Sequence, residues 1–290
     1  MEFNGDCFDD IICFCVDAVI YVVFGSDQPF GASIDPSSLD GSNGFVIPVV
    51  GTFVQVSVSA AGDVNGDGLD DFIIGTRLAS NNGANSGSSY VVFGSTQSFA
   101  PTLDLSTLDG SNGFRLDGTV NDFSGRSVST AGDLYGDGID DLIIGGTGGG
   151  TEIFGSSDYM VFGSTEGFAP TLDLSSLDGS NGFRLEDPGI IFEGLSVSGG
   201  GDIDGDGFDD LIISGAGETY VVFGRATASP VPLVFGEPAT IFVDDEGIIQ
   251  GNGFGAGDPY TGDLFSNTDG TANPDDAILG TPGDDTIWPG

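Results

Sequence analysis

The chain has 290 residues, and its 45 acidic and 5 basic side chains give a formal net charge of −40, with no histidine. Nucleic acid and anionic membranes are unfavourable partners, because a protein binds such polyanions through Lys and Arg side chains. The lack of histidine excludes Ser-His-Asp catalysis and His-ligated zinc. An apolar content of 39%, with 23 Phe and 51 Gly, nevertheless predicts a folded chain of short strands and many turns.

Three sequence blocks recur in fixed order along residues 1–224, at a spacing of about 70 residues between the later copies. The first block is a nine-residue acidic loop, with copies called loop 1 (2–10), loop 2 (63–71), loop 3 (133–141) and loop 4 (202–210). The second is an apolar run that ends in Phe-Gly, at 21–25, 90–94, 159–163 and 220–224. The third reads Leu-Asp-Gly-Ser-Asn-Gly-Phe, at 39–45, 108–114 and 177–183.

Each unit carries the pattern of four strands. Val54, Val56 and Val58 alternate with polar residues before loop 2, which predicts a half-buried strand, and the continuous apolar run 72–74 after it predicts a strand covered on both faces. The Phe-Gly run and the segment 114–116 supply two more. The sequence therefore predicts an all-β protein, a β-propeller of about four four-stranded antiparallel blades that is closed, incomplete or open. A parallel β-helix or a string of separate sandwiches is the alternative.

The acidic loops place oxygen-bearing side chains at positions 1, 3, 5 and 9 and, in three copies, glycine at position 6. A hard cation such as Ca²⁺ takes six to eight oxygen ligands, and alternate residues of a tight loop supply them from one side. The flanks have strand composition and position 12 is Ile in loops 2, 3 and 4, so these loops are not EF-hands. The alternative is an acidic turn that only solubilises a hairpin. The predicted ligands, with position 7 acting through its carbonyl, are Glu2, Asn4, Asp6, Phe8, Asp10, Asp63, Asn65, Asp67, Leu69, Asp71, Asp133, Asp137, Ile139, Asp141, Asp202, Asp204, Asp206, Phe208 and Asp210.

The four copies are not equivalent. Position 3 of loop 3 is Tyr135, a poor substitute for a carboxylate, and loop 1 has Glu2 at position 1 and Cys7 in place of the turn glycine. The expected order of calcium occupancy is therefore loop 4, loop 2, loop 3 and loop 1. Cys7 lies close to Cys13 and Cys15, and this odd number of cysteines predicts buried free thiols rather than a disulfide framework.

These loops, preceded in three units by Ser-Val-Ser-x-x-Gly and followed by the Phe-Gly runs, resemble FG-GAP repeats, the calcium-binding blades of integrin α-subunit propellers and of large bacterial surface proteins. The resemblance covers residues 1–224. It implies one calcium site in the hairpin of each blade, all on one face, with integrin ligands binding on the opposite face. It implies no catalytic residue. Integrin propellers have seven blades, whereas this chain offers four loops.

Residues 225–290 depart from the repeat pattern. Pro230, Pro232 and Pro238 mark a boundary, and segments 233–235 and 240–243 have strand composition. The segment 278–287 resembles the beginning of a hemolysin-type (RTX) calcium repeat, although a single copy cannot stack and is equally a solvated turn. Because loop 1 lacks a preceding strand and the chain ends where an RTX array would begin, we expect a fragment of a larger exported protein.

The leading hypothesis is a calcium-binding, non-enzymatic propeller module of a secreted or cell-surface bacterial protein, active in adhesion or scaffolding. Extracellular calcium modules bind in the range of about 10⁻⁴ to 10⁻³ M, so such sites require the calcium levels found outside cells. The expected partners are calcium ions and an extracellular protein or glycan, bound by the variable segments 76–89 and 147–158. The alternatives are a propeller that accompanies a secreted hydrolase, or a carbohydrate-binding module, which would require exposed aromatic platforms.

Overall fold

The computed structural model describes residues 1–15, 19–49, 55–147, 158–185, 196–214, 219–224, 240–243 and 249–251. Within these ranges, the regular elements are strands and three one-turn 3-10 helices, Pro36–Ser38, Leu105–Thr107 and Leu174–Ser176. No described helix has the length and apolar character that crossing a bilayer would require. The all-β class predicted from the sequence is confirmed.

The strands form four sheets, here called blades 1 to 4. Blade 1 contains β1 (Ile11–Cys15), β2 (Val19–Val23) and β3 (Gly44–Pro48). Blade 2 contains β4 (Val56–Gly62), β5 (Asp71–Thr76), β6 (Ser88–Val92) and β7 (Gly113–Asp117). Blade 3 contains β8 (Ser127–Gly132), β9 (Asp141–Gly145), β10 (Asp158–Val161) and β12 (Gly182–Leu185), whereas β11 (Thr171–Asp173) pairs with β7 of blade 2. Blade 4 contains β13 (Ser196–Gly201), β14 (Asp210–Ser214), β15 (Thr219–Val222), β16 (Thr240–Val243) and β17 (Ile249–Gly251).

Within each blade, successive strands are antiparallel neighbours, as expected of propeller blades. The inner strands lie side by side from blade to blade, with β4 against β8 and β8 against β13, while β1 lies against β4. Blade 1 has three strands in the described residues. In the described part of the chain the sheets do not close into a ring.

The hydrophobic core lies between blades rather than within them. Strand β5 is buried at every residue, as its apolar run predicts. The core cluster between the first two blades combines Phe3 and Phe45 of unit 1 with Phe72 and Ile74 of blade 2. Equivalent clusters join blade 2 to blade 3 and blade 3 to blade 4. A single blade therefore cannot bury its own faces and is stabilised by its neighbours.

An additional contact between blades comes from segments 99–103 and 168–172, here called arms. The first arm packs on blade 1, where the ring of Phe99 lies 4.9 Å from that of Phe45 and the N–H of Val46 donates to the carbonyl of Pro101 at 3.0 Å. The second packs on blade 2, with Phe168 stacked on Phe114 at 4.1 Å. Each arm thus covers the outer strand of the preceding blade.

Several predictions concern parts of the chain that are described only in part. Segment 240–243 forms β16, whereas 233–235, Val54, the three prolines and the RTX-like residues 278–287 lie outside the described residues. The prediction of buried cysteine thiols is wrong for Cys7 and Cys13, which are exposed. Cys7 lies on the outer turn of loop 1, and Cys13 lies on β1, an edge strand of blade 1.

Candidate metal centres

The acidic loops occupy equivalent positions in the blades. Loop 2 joins β4 to β5, loop 3 joins β8 to β9, loop 4 joins β13 to β14, and loop 1 precedes β1. A shift of strand register precedes each of the three hairpin loops, for example between Ala60 and Gly62. The four loops therefore lie at corresponding ends of their blades, as the resemblance implies.

Hydrogen bonds donated by backbone N–H groups to side-chain oxygens wind loops 2, 3 and 4 in the same way. In loop 2, the Asp63 carboxylate accepts the N–H groups of Asp67 at 3.0 Å and Gly68 at 2.8 Å, and Asn65 Oδ1 accepts that of Asp67 at 2.8 Å. Asp67 in turn accepts the N–H of Leu69 at 3.0 Å. The position 1 carboxylate makes the same two bonds in loops 3 and 4. In loop 2, this winding holds the side-chain oxygens of positions 1, 3 and 5 against the backbone of the loop.

Position 6 requires a left-handed backbone, which explains its glycine. Gly68 and Gly138 have φ of 86° and Gly207 has φ of 95°. Loop 1 adopts the same conformation with Cys7, whose φ is 70°. A non-glycine residue in this region costs about 1–2 kcal/mol, so loop 1 keeps the fold of the loop at an energetic cost.

The position 9 carboxylate is buried at the base of each loop. Asp71 is fully buried, and its two oxygens accept the N–H groups of Val64 at 3.0 Å and Gly94 at 2.9 Å. Burial nevertheless raises the pKa of Asp71 to about 8, and the carboxylates of Asp67 and Asp63 add to the rise. Burial likewise raises the pKa of Asp141 to about 8, and it raises the pKa values of Asp10 and Asp210 above the usual range of an aspartate. A divalent cation between these carboxylates would favour their ionised forms.

Loop 4 brings three carboxylates together. Asp202, Asp204 and Asp210 each offer an oxygen, and these oxygens lie within 4.8 Å of one another. Among the described residues this is the one group of three such side chains that is close enough to share an ion. The donors are all hard oxygen atoms, the ligand type that Ca²⁺ prefers, and the residues present therefore fit that ion. Asp206 lies in the same loop and accepts the N–H of Phe208 at 3.0 Å.

The other loops differ from loop 4 in ways that follow from their sequences. In loop 3, Tyr135 packs its ring on Phe162 at 4.8 Å, and its hydroxyl is buried, so position 3 supplies core packing. In loop 1, Glu2 accepts the N–H groups of Gly5 and Asp6 at 2.8 and 3.0 Å, which reproduces the role of Asp at position 1. Loop 2 has an amide, Asn65, in the ligand set. The carboxylate grouping thus agrees with placing loop 4 first.

Position 8, which is Asp in all four loops, joins loops 2, 3 and 4 each to the loop before it. Asp140 of loop 3 accepts the N–H of Asp63 in loop 2 at 2.8 Å and donates its own N–H to the Asp63 carbonyl at 3.2 Å. Asp209 makes the same pair of bonds to Asp133, and Asp70 makes them to Glu2. We call this reciprocal pair the clasp. It ties position 1 of one loop to position 8 of the next loop.

The clasp explains a further glycine and a cluster of charge. Gly62 precedes loop 2 with φ of 73°, and a Cβ there would lie 2.2 Å from a carboxylate oxygen of Asp140. Asp70, Asp140 and Asp209 line a cavity of about 400 Å³ between the inner strands. Burial raises the pKa of Asp140, and the carboxylates of Asp209 and Asp70 contribute. The first Asp of each Asp-Asp pair was given no role in the sequence prediction, although its repetition at position 8 was the available signal.

The known proteins that this chain resembles agree with this architecture. Residues 56–92 match the FG-GAP repeat. The chain is 32% identical to integrin alpha-5 of Xenopus laevis over 182 residues, which are 60% of this chain and 16% of that protein. It is 29% identical over 208 residues to integrin alpha pat-2 of Caenorhabditis elegans, covering 68% of this chain and 16% of that protein. For human integrin alpha-E the identity is 28% over 191 residues, or 65% and 15% of the two chains.

The FG-GAP match covers β4, loop 2, β5 and β6, the part of blade 2 that surrounds one candidate metal site. The similar segments of the integrin α chains span about a sixth of their length. Together with the four antiparallel sheets, these findings support FG-GAP propeller blades of the integrin α type.

Proposed function

We propose that this chain is a calcium-binding, non-enzymatic propeller module. The convergence of Asp202, Asp204 and Asp210 in loop 4 is the observation that carries the proposal. The shared winding of the other loops extends it to loop 2, then loop 3 and loop 1. The ligand positions of the four loops contain thirteen carboxylates. These carboxylates repel one another, and Ca²⁺ bound between them would offset the repulsion.

Calcium binding in this module serves the fold. The loops lie at the blade contacts, and each clasp joins the first position of one loop to the next blade, so an ion in a loop orders both partners. At ten times its dissociation constant, one ion adds about 1.4 kcal/mol to the free energy of unfolding. Four occupied sites would also reduce the net charge from −40 to −32.

The module acts in adhesion or scaffolding at the surface of a bacterial cell or in its secretions. The acidic loops, the RTX-like segment 278–287 and the similarity to integrin α chains support an extracellular setting. The partner is an extracellular protein or glycan, bound at the end of the blades opposite the calcium loops. At that end, the connection between β5 and β6 pairs with the connection between β7 and β8. The N–H of Asn121 donates to the Ala84 carbonyl and that of Phe123 to the Asn85 carbonyl, both at 2.9 Å.

Isothermal titration calorimetry with CaCl₂ tests the metal proposal. The wild-type chain should bind calcium with a dissociation constant of about 10⁻⁴ to 10⁻³ M or tighter, and Asp204→Ala should remove one site from the stoichiometry. Asp27→Asn is the matched control, because it removes one charge at an exposed residue outside the loops. Equal stoichiometry in the two variants would contradict the assignment of loop 4.

A glycan array, screened with the chain in millimolar calcium, decides whether the partner is a protein or a glycan. A protein-binding module should leave the array unlabelled. Labelling of one glycan class, lost when calcium is chelated, would instead favour a glycan partner.

A further inference from the structure

Two arginines lie together where blades 2 and 3 meet, at the end of the blades opposite the acidic loops. Arg77 follows β5, and Arg126 precedes β8; we call these two residues the arginine pair. The backbones beside them are in contact, since a Cβ built on Gly75 would collide with the carbonyl oxygen of Gly125. The Cζ atom of Arg77 stands over the ring of Phe123, 5.4 Å from its centroid. A chain with 45 acidic and 5 basic side chains thus brings two of its few cations to one surface.

The surroundings of Arg77 are unfavourable in the free chain. Burial lowers the pKa of Arg77, and the positive charge of Arg126 lowers it further. Among the described residues, the buried Nε of Arg77 has no hydrogen-bond acceptor, and no carboxylate forms an ion pair with either arginine. A buried donor without an acceptor and two like charges side by side both cost free energy. An anion that contacted both guanidinium groups would offset the repulsion between them.

The connection that carries Phe123 adds backbone strain at the same place. Phe123 has a φ of 53°, in the left-handed region, where a bulky non-glycine residue is an outlier. Its N–H donates to the carbonyl of Asn85 at 2.9 Å, and the N–H of Ser124 donates to that of Ser86 at 3.2 Å. These bonds hold the strained backbone while the ring lies against Arg77. Strain that the surrounding structure enforces in this way is concentrated at ligand sites.

Two carboxylates at this end of the blades are buried and bonded within the molecule. Asp117 accepts a hydrogen bond from Arg115 at 2.8 Å, and Asp122 accepts one from the hydroxyl of Tyr159 at 2.7 Å. Both aspartates are less than 5% exposed, whereas the two residues of the arginine pair are half-buried. The arginine pair therefore presents positive charge to solvent, although the chain as a whole is strongly acidic.

Exposed aliphatic side chains stand on the same two connections. Leu78 is 36% exposed, and Val120, which packs over Gly83, is 53% exposed. One face of the Phe123 ring is already in contact with a guanidinium, so this ring is not an open platform on which a sugar could stack. The surface therefore fits a carboxylate that has aliphatic neighbours, as in an acidic segment of a protein, better than it fits a glycan.

We propose that the arginine pair binds a carboxylate in an acidic segment of the partner protein, with Leu78 and Val120 contacting the aliphatic side chains beside that carboxylate. This inference rests on the proposed function, which places the partner at this end of the blades. Guanidinium groups suit the role because they bind carboxylates through two parallel hydrogen bonds. The net charge of −40 repels an acidic partner at long range, but charges more than about 8 Å apart are largely screened at physiological ionic strength.

NMR of the arginine side chains tests this proposal in the 290-residue chain, in 5 mM CaCl₂ and 0.15 M NaCl. All five basic residues are arginines, so five Nε–Hε signals are assigned from single Arg→Lys variants. The probe is the pentapeptide Gly-Leu-Glu-Leu-Gly with both ends blocked, and its control has Gln in place of Glu. The Glu peptide, added to about 5 mM, should shift the signals of the arginine pair, and the Gln peptide should bind about tenfold more weakly or worse.

Two outcomes of the peptide titration would overturn the proposal. The first is that the signals of the arginine pair do not move, and the second is that both peptides shift them equally. The methyl glycoside of N-acetylneuraminic acid carries a carboxylate on a sugar and is titrated in the same way. Tighter binding of this glycoside than of the Glu peptide would overturn the choice of a protein partner.

Single variants locate the carboxylate site. Arg77→Gln and Arg126→Gln should each weaken binding of the Glu peptide about tenfold or more. Arg184→Gln is the matched control, because it removes the same charge from an exposed residue on β12, and it should bind as the wild type does. Equal weakening in all three variants would contradict a site at the arginine pair. If Arg77→Gln fails to fold because it loses the contact with Phe123, Arg126→Gln decides the matter.

Calcium binding is measured by calorimetry on the same proteins, so that the two proposals can fail separately. The arginine variants should keep the calcium stoichiometry of the wild type, because the acidic loops lie at the other end of the blades. Calcium binding without peptide binding would contradict the role of the arginine pair and leave the metal proposal standing. Peptide binding without calcium binding would contradict the metal proposal and support the arginine pair.

Discussion

Replacing Asp140 by Ala should separate the contribution of the clasp from that of the rest of the blade contact. The carboxylate accepts the N–H of Asp63 at 2.8 Å, and a hydrogen bond that involves a charged group contributes about 1.5–3 kcal/mol. Part of this is offset in the wild type, because burial and the neighbouring carboxylates disfavour the ionised form of Asp140 and raise its pKa. The expected loss is therefore about 1–2 kcal/mol, or roughly 2–6 °C in Tm for a domain of this size.

The assay is differential scanning calorimetry in saturating calcium, so that differences in metal affinity contribute little. Asp140→Asn retains an acceptor without the charge and should lie within about 0.5 kcal/mol of the wild type. Asp9→Ala is the matched control, because this position 8 carboxylate is exposed and contacts only the N-terminal amine. If Asp140→Ala and Asp9→Ala melted at the same temperature, the clasp would not stabilise the blade contact.

Three further predictions concern other parts of the molecule. Burial raises the pKa of Asp158 to about 7, so this carboxyl costs stability as pH rises from about 4 to 7, by up to about 1.4 kcal/mol per pH unit. In urea titrations, Asp158→Asn should therefore be more stable than the wild type at pH 8 but not at pH 4. A stability difference between the two proteins that was the same at both pH values would refute this. Cys7→Gly should stabilise by about 1 kcal/mol and Gly68→Ala should destabilise by a similar amount, since both have positive φ; unchanged melts of both would contradict the argument. Phe99→Ala should cost about 2–3 kcal/mol in denaturant titrations, whereas Phe30→Ala at low protein concentration should cost less than about 0.5; equal losses would contradict the role of the arm.

The repeat pattern predicts the elements of the fold because each signal is local. The buried run 72–74 follows an acidic loop and becomes β5, and the segment 114–116 becomes part of β7. The same locality predicts the loop ligands, since their oxygens are brought together by hydrogen bonds between residues two to five apart, such as Gly68 to Asp63.

Contacts between blades were not predictable in the same way, because they join residues about 70 apart. The bond from Asp63 to Asp140 spans 77 residues, and the stacking of Phe168 on Phe114 joins two units. Repetition was the only trace in the sequence: Asp at position 8, and Phe-Ala-Pro-Thr-Leu at both 99–103 and 168–172. The burial of cysteines was predicted wrongly because Cys7 occupies a glycine position on an exposed turn, a requirement of backbone conformation rather than of packing.

The central claim is that calcium in the acidic loops holds the blades together. Thermal unfolding of the wild-type chain in 5 mM CaCl₂ and in excess EDTA tests it most directly. At ten times the dissociation constant, each occupied loop adds about 1.4 kcal/mol, so filling two loops should raise Tm by roughly 6–12 °C. The same increase should not occur with MgCl₂, because Mg²⁺ requires a more rigid octahedral site and gives up its water reluctantly. Identical melting curves in calcium and in EDTA would contradict the account.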